Sequence, residues 1–354
     1  RVVLLDEPTS ALAGGEVARL RRVIRGIAEQ GRTVLIVSQR LDDVFGVCDH
    51  VMVLRNGLFV ESAPVAEFSS GRAIALMMHG HEGTSSQAKA AATTTGSREP
   101  AGSVADDVTT AALSTIGLVV HGQTAPVSLR LDRGEIVGLA GLPGSGTSEF
   151  LRALFGLRPA SARDVRLFGD SYLPGRPADA IARGIAYVTG DRQGEGLVPD
   201  SSVADNITMV RTRTGRGGPR LLAAARRAAL AQISALQIRP GDPDQPARAL
   251  SGGNQQKVVF ARWMLANPRL WLLDDATRGV DIGARREIHS AVRALTREGR
   301  AAALMVSSDL FELFEVCDRI VVFRGGAVIA DIPSAETTPE AVEALTAGTV
   351  REPL

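Results

Sequence analysis

Two stretches of this chain are written twice, and the repetition restricts its architecture more than any other property. VVLLDEPTSAL (Val2 to Leu12) aligns with LWLLDDATRGV (Leu270 to Val280), and TVLIVSQRLDDVFGVCDHVMVLRNG (Thr33 to Gly57) aligns with AALMVSSDLFELFEVCDRIVVFRGG (Ala302 to Gly326). Self-similarity of this kind means two copies of one module. In both copies a short apolar run, a helix-period segment and a second apolar run follow in order, which predicts strand, crossover helix and parallel strand. Val17, Leu20, Ile24 and Ile27 make the apolar stripe of the helix in the first copy; Ile288, Val292 and Leu295 make it in the second. The fold class is therefore α/β, with a buried, mainly parallel sheet in each module.

A chain of 354 residues is expected to hold about two domains. His81 to Ala112 is rich in Ala, Thr, Ser and Gly and almost without large apolar residues, so it reads as a flexible linker. Residues 1–80 then read as the C-terminal part of a first module and residues 113–354 as a complete second one. The N-terminal RVVLLDEPTSAL lacks Met and enters a strand pattern at once, and reads as a cut rather than as a signal peptide or a translation start. A 45% apolar and 22% charged composition is ordinary for a soluble globular protein, and a net charge of +1 offers no basic excess for nucleic acid. No window approaches the ~20 apolar residues of a membrane span. Cys48 and Cys317 fall at equivalent places in the repeat and read as buried thiols in a reducing compartment, not as a disulfide or metal pair.

Three short motifs carry chemistry. GLPGSGTS (Gly141 to Ser148) lies after an apolar strand and before the helix TSEFLRALFG. Gly141, Gly144 and Gly146 let backbone N–H groups turn inward around Ser145 and Thr147, and the helix N-terminus adds its dipole, which makes a phosphate cradle. The usual pattern is G-x-x-x-x-G-K-[ST], and Thr147 takes the place of the lysine. The two lysines of the chain, Lys89 and Lys257, lie elsewhere. The lost charge-assisted contact is worth about 1.5 to 3 kcal/mol, a loss that binding survives and fast phosphoryl transfer does not. Ser148 keeps a hydroxyl for Mg²⁺. The alternative for this loop is a plain strand-to-helix turn with glycines for close packing. LSGGN (Leu250 to Asn254) offers the Ser251 hydroxyl, the Gly252 and Gly253 amides and Asn254 at a helix start, a second anion site. Asp6 with Glu7, and Asp274 with Asp275, end apolar strands, one acid for a metal and the next for an attacking water. A solvated turn is the alternative for an isolated acidic pair.

LSGGNQQKVVFARWMLANPRLWLLDDATRGVD (Leu250 to Asp281) resembles the signature sequence and Walker B strand of ATP-binding cassette (ABC) proteins, and LLDEPTSAL (Leu4 to Leu12) resembles the same strand with its D-loop. The order glycine loop, LSGG, LLDD and LMVSSD matches that family across the whole second module. The resemblance implies a P-loop NTPase-type ABC nucleotide-binding domain with a mainly parallel core sheet, an antiparallel β subdomain and a helical subdomain, plus a partial first copy. LSGGNQQK, TRGVDIGA and DRQGEGLV resemble, more narrowly, the ATPase subunits of bacterial sugar importers of the ribose, galactose and xylose type, which carry two cassettes in one polypeptide. That implies an ATP-hydrolysing subunit, using ATP and Mg²⁺, that powers monosaccharide import from the cytoplasmic face of the membrane. Its partners would be integral-membrane permease subunits, an extracytoplasmic sugar-binding protein reached through the permease, and the N-terminal half of the first cassette, with no nucleic acid. A nucleoside importer, a soluble tandem-cassette ATPase associated with nucleic acid and a non-hydrolysing nucleotide-binding regulator remain alternatives.

ABC cassettes dimerise head to tail, which assigns the residues to two sites. Ser251, Gly252, Gly253 and Asn254 would complete a site whose metal acid is Asp6, whose base is Glu7 and whose switch position, usually histidine, is Gln39. The opposite site would use Gly141 to Ser148, with Ser148 and Asp274 on Mg²⁺ and Asp275 as base. Departures gather in this second site: Thr147 replaces the family's arginine, Asp275 is one methylene short of glutamate, and Ser308 stands at its switch position. A displacement of about 1 Å costs on the order of 100-fold in rate, so this site reads as one that holds nucleotide and splits it slowly. Gly190-Asp191-Arg192 matches a Glu-Asp-Arg stretch that replaces the glutamine loop, with one acid absent. Asp191 to Asn206 is expected to face the membrane subunits, or else to be a solvated connector. His121 stands near where the family stacks an aromatic on adenine, with a surface or packing role as its alternative.

Overall fold

A computed structural model describes residues 2–6, 8–9, 14–38, 41–55, 58–68, 72–73, 76, 111–210, 219–280, 282–297, 299 and 301–348. The chain divides into two units, Arg1–Pro100 with Asp281–Gly283, and Ala101–Val280 with Ala284–Leu354. The first unit runs β1 (Val2–Asp6), α1 (Gly14–Glu29), β2 (Thr33–Val37), α2 (Leu41–Val47), β3 (His50–Arg55) and β4 (Leu58–Pro64). β1 and β2 pair in parallel with Leu4 opposite Leu35, as the repeat predicts, and β3 and β4 pair antiparallel. Of the stripe read on α1, Val17 and Ile24 are buried. Gly31, at φ +75°, closes the helix by donating its N–H to the Ala28 carbonyl. The core of this unit is small, gathered around Val51, Val53, Phe68 and Ala73. Val2, Leu4, Leu35 and Val37 lie exposed on β1 and β2.

The second unit opens with β5 (Ala111–Val120), β6 (Val127–Asp132), β7 (Ile136–Ala140) and α3 (Thr147–Leu154). There follow β8 (Ala160–Ser161), β9 (Asp164–Leu167), β10 (Asp170–Ser171), α4 (Pro177–Ala182) and β11 (Ile185–Thr189). Three helices come next, α5 (Val203–Thr208), α6 (Pro219–Ala235) and α7 (Gly252–Ala266), and then β12 (Leu270–Asp274), α8 (Ile282–Arg297) and β13 (Ala302–Val306). The chain then passes through α9 (Leu310–Val316), β14 (Arg319–Arg324), β15 (Ala327–Pro333) and α10 (Pro339–Ala347). Six strands form the main sheet in the order β11-β12-β13-β7-β14-β15, parallel throughout except for the last pair. A separate antiparallel sheet follows the order β10-β9-β5-β6, with β8 on β5.

The continuous apolar runs IVGLA, LWLLD and AALMV become central strands buried on both faces, where alternation would leave polar groups inside. Helix α7 is unusual in burying Gln255, Gln256, Lys257 and Arg262 along with its apolar residues. Each has a partner: Gln255 reaches the Ala247 carbonyl at 3.4 Å, Gln256 reaches the Thr189 carbonyl at 3.2 Å, Lys257 pairs with Glu287 at 2.5 Å, and Arg262 donates to the Asn206 and Gly196 carbonyls at 2.7 and 2.6 Å. Burial pulls the Arg262 guanidinium down to about 10, which leaves it charged at neutral pH.

β5 begins at Ala111, two residues before the boundary read from composition, because Ala111 and Ala112 are packed into the core. Residues 81–110 of the expected linker lie outside the described residues. Cys317 is buried beneath β7, where Gly138 leaves room for its sulfur, while Cys48 is only half-buried. Both are free thiols, and burial pushes each of them up. Among the described residues no helix is long and apolar enough to cross a membrane.

Candidate functional site

The glycine loop turns where the sequence places it, between β7 and α3. Gly144 and Gly146 adopt φ of +80° and +105°, left-handed values that a side chain disfavours, and the Ser145 amide donates to the Leu142 carbonyl at 2.9 Å. The loop is braced from β14–β15 by Gly326, whose N–H reaches the Ser145 carbonyl at 2.8 Å. A Cβ on Gly146 would lie 2.9 Å from the Gln123 amide nitrogen and 3.1 Å from the Gly326 Cα. No side chain caps α3, so its first amides are available to a ligand, and the buried Ser145 hydroxyl has no protein partner. Thr147 is buried and puts no charge into the cradle.

The structure brings Ser148 and Asp274 together: the Ser148 hydroxyl donates to Asp274 Oδ1 at 2.6 Å. A hydroxyl and a carboxylate in contact at the mouth of a phosphate cradle are the oxygen ligands that Mg²⁺ takes alongside nucleotide phosphates. The donor set suits that ion because both groups offer hard oxygen ligands and leave the remaining positions to phosphate and water. The other oxygen of Asp274 is held by the Tyr187 phenol at 2.5 Å, with Arg152 Nε at 3.7 Å. Burial, and then the Asp274 charge, push Tyr187 far above its ordinary value, so it stays a donor. Neither residue was singled out from sequence. Arg152 had a legible signal, its i+4 spacing from Ser148 on the same helix face.

Asp275 adopts φ +52°, and its Oδ1 accepts from both the amide and the hydroxyl of Ser308, each at 3.0 Å. The residue at the switch position thus restrains the carboxylate expected to act as base. Gly190, where the acid of the Glu-Asp-Arg stretch is absent, sits against this turn, and a Cβ there would fall 2.5 Å from the Asp275 carbonyl oxygen. Behind it the buried Glu312 accepts from Ser307 Oγ at 2.5 Å, from His289 Nε2 at 2.5 Å and from the Thr277 hydroxyl. His289 is part of that buried cluster, while His121 is exposed in the turn after β5.

LSGGN begins α7 as predicted, with Ser251 in the N-cap position but making no cap bond. Its hydroxyl instead accepts from Asn254 Nδ2 at 2.9 Å, and Asn254 Oδ1 accepts from the Arg239 amide at 2.8 Å, which leaves the amides at the helix start free for an anion. Asp191 to Asn206 holds a single wide turn over Arg192–Gly196, followed by α5. Asp6 is exposed at the end of β1, and Glu7 and Gln39 lie outside the described residues.

Comparison with known proteins gives concordant findings. The sequence model described as ABC transporter matches residues 124–278. A ribose import ATP-binding protein of Streptomyces avermitilis is 39% identical over 349 residues, covering 98% of this chain and 66% of that protein. An arabinose import ATP-binding protein of Burkholderia cenocepacia is 39% identical over 346 residues, 97% of this chain and 64% of that one. A ribose import ATP-binding protein of Rubrobacter xylanophilus is 39% identical over 357 residues, 98% of this chain and 67% of its own length. The chain therefore spans about two thirds of these relatives. Among solved structures, an ATP-binding cassette of an ABC transporter in its ADP conformation shares the fold with a TM-score of 0.54 at 20% identity, over 67% of this chain and 95% of that one. A dimeric cassette in a post-hydrolysis state, bound to ADP and Pi, gives 0.55 at 21% identity, over 63% and 98%.

Proposed function

The chain belongs to the ABC transporter family, and from that premise we propose that it is the ATP-binding, ATP-hydrolysing subunit of a carbohydrate importer. The observation that carries this reading is the glycine loop, with free α3 amides, set beside the Ser148–Asp274 contact. In it Gly141, Gly144, Ser145, Gly146 and Thr147 line the phosphates, while Ser148 and Asp274 hold Mg²⁺. The metal, when bound, neutralises phosphate charge. Ser251, Gly252, Gly253 and Asn254 offer a second anion site at the start of α7, and Asp6, Glu7 and Gln39 are the metal acid, base and switch residue of the first cassette. The names of the relatives, ribose and arabinose import ATP-binding proteins, support a monosaccharide as cargo; with import as the task, the partners are integral-membrane permease subunits and a sugar-binding protein, and the place is peripheral on the cytoplasmic face.

The second-unit site is proposed to hold nucleotide and turn it over slowly. The Ser308 bonds to Asp275 support this, because two donors already occupy the carboxylate oxygen that an attacking water would have to engage. The first unit is proposed to be completed by further strands of a first cassette. In support, Leu4 is 72% exposed on β1, whereas its repeat counterpart Leu272, covered by neighbouring strands and helices, is 0% exposed.

The test is the affinity of a fluorescent ADP analogue with and without Mg²⁺. Wild-type protein should bind more tightly with the metal, and Ser148→Ala should remove about tenfold of that gain. Absence of nucleotide binding would sink the reading at its root. ATP turnover that ignores both sugar and permease, in a complete transporter, would remove the importer assignment alone.

A further inference from the structure

We propose that Tyr187 sets the cation preference of the second-unit site: by occupying one oxygen of Asp274 it leaves a single oxygen for the metal, an arrangement that suits Mg²⁺ and disfavours Ca²⁺. The inference rests on the nucleotide-binding reading above, with Ser148 and Asp274 as the metal oxygens.

The main sheet brings the phenol to this carboxylate. β11 and β12 run parallel with Thr189 opposite Asp274 and Tyr187 opposite Leu272. Side chains two residues apart on a strand share a face, so Tyr187 is the diagonal neighbour of Asp274, a separation that an aromatic side chain spans. Its hydroxyl donates to Asp274 Oδ2 at 2.5 Å. The ring is buried and held in place, because it stacks on Phe155 with centroids 5.3 Å apart, and Phe155 meets Trp263 edge-on at 5.8 Å. The backbone of Asp274 is fixed from the same side by the Gly190 amide, which donates to its carbonyl at 2.8 Å. With the backbone fixed, what Tyr187 decides is the rotation of the carboxylate.

The two oxygens of Asp274 are thereby divided. Oδ1 belongs to the glycine-loop side, where the Ser148 hydroxyl donates to it at 2.6 Å. Oδ2 has the Tyr187 phenol and, at 3.7 Å, Arg152 Nε. The longer of these distances is outside hydrogen-bond range, so Arg152 contributes charge while the phenol occupies the oxygen. An aspartate carboxylate turns in a broad, two-fold torsional well. Without a donor on Oδ2 both oxygens are able to turn toward one ion, and the stacked phenol prevents this.

That restriction separates two ions of equal charge. Mg²⁺ demands near-octahedral geometry and combines one or two carboxylate contacts with phosphates and water. Ca²⁺ gathers about six to eight oxygens and accepts both oxygens of one carboxylate. A site that offers one aspartate oxygen and one hydroxyl denies Ca²⁺ that extra ligand. The next acid does not replace it, because Asp275 is turned to Ser308, which donates to its Oδ1 twice at 3.0 Å.

The test measures the affinity of a fluorescent ADP analogue under three conditions: with chelator, with saturating Mg²⁺ and with saturating Ca²⁺. In wild-type protein Mg²⁺ should tighten binding about tenfold more than Ca²⁺ does. Tyr187→Phe keeps the ring on Phe155 and removes only the hydroxyl. It should leave the affinity in chelator within about twofold and reduce the Mg²⁺-to-Ca²⁺ ratio by about tenfold, the worth of one hydrogen bond to a charged group. Tyr187→Leu loses ring and hydroxyl together, and should give the same ratio as Tyr187→Phe at a lower denaturant midpoint. A tyrosine that is merely structural shifts all three affinities by one factor and leaves the ratio unchanged, and that result overturns the proposal. So does a ratio that stays at the wild-type value in Tyr187→Phe and falls only in the less stable Tyr187→Leu. Wild-type protein that binds the analogue but responds equally to both ions removes the cation preference alone. If it binds the analogue under none of the three conditions, the nucleotide-site reading falls and the cation preference with it.

Discussion

A non-glycine residue in the left-handed region costs free energy that its surroundings must offset, and Asp275 is such a residue. Its turn leaves no room at position 190, where the neighbouring atom is a backbone carbonyl and cannot swing aside. Gly190→Ala should therefore destabilise the protein by about 1–3 kcal/mol, read as a lower denaturant midpoint at unchanged slope. Glu312 makes a pH-dependent contribution. Burial raises its carboxyl, but the His289, Ser307 and Thr277 contacts outweigh burial and hold it below the ordinary value. The folded state thus binds its proton less readily than the unfolded chain, so the contribution is complete above about pH 4.3 and fades as pH falls through the lower folded value. Glu312→Gln should lower stability at pH 7 by about 2 kcal/mol or more and flatten the acid limb of the stability profile. The acid pair at 274–275 was legible because an apolar run ends there. Ser308 was legible as a position of the same site, but not its bonds to Asp275, and Tyr187 was not legible at all, because it comes from another strand and nothing local marks it.

At the scale of elements, the repeat makes β1 and β12 near-equivalents in sequence but not in environment. Leu272 lies between β11 and β13 in a strand buried at every position, whereas Leu4 has only β2 beside it among the described strands. Leu4→Asp should change the stability of this chain by less than about 0.5 kcal/mol, while Leu272→Asp should cost more than about 4 kcal/mol. Chemical denaturation of the two variants side by side decides it. The strand pattern announced strand, helix and strand in both copies, and both formed. Burial was not announced, because it is a property of neighbours and not of the strand's own residues. The same logic explains Cys48, which shares the local sequence of Cys317 but has no counterpart of β7 above it among the described residues.

For the whole molecule, the contrast lies between a first unit with a small core and a second with a continuous one. Ligand binding stabilises only the part that holds the site, by about 2.7 kcal/mol when ligand is a hundredfold above its Kd. MgADP should accordingly slow hydrogen exchange in the strands of the second unit, β7, β12 and β13, by about a hundredfold, and leave β1 to β4 unchanged. Slowing spread equally over both units would contradict a nucleotide site confined to the second. Sequence by itself determined the α/β class, the duplicated module, the glycine loop and the strand-end acids, because each depends on spacing within a short run. Only the tertiary structure decided that Asp275 is restrained by Ser308, that Tyr187 reaches one oxygen of Asp274, and that one copy of the strand pair is covered while the other is bare. Those outcomes depend on which distant segments arrive at the same place, and the physics of a local window carries no record of that.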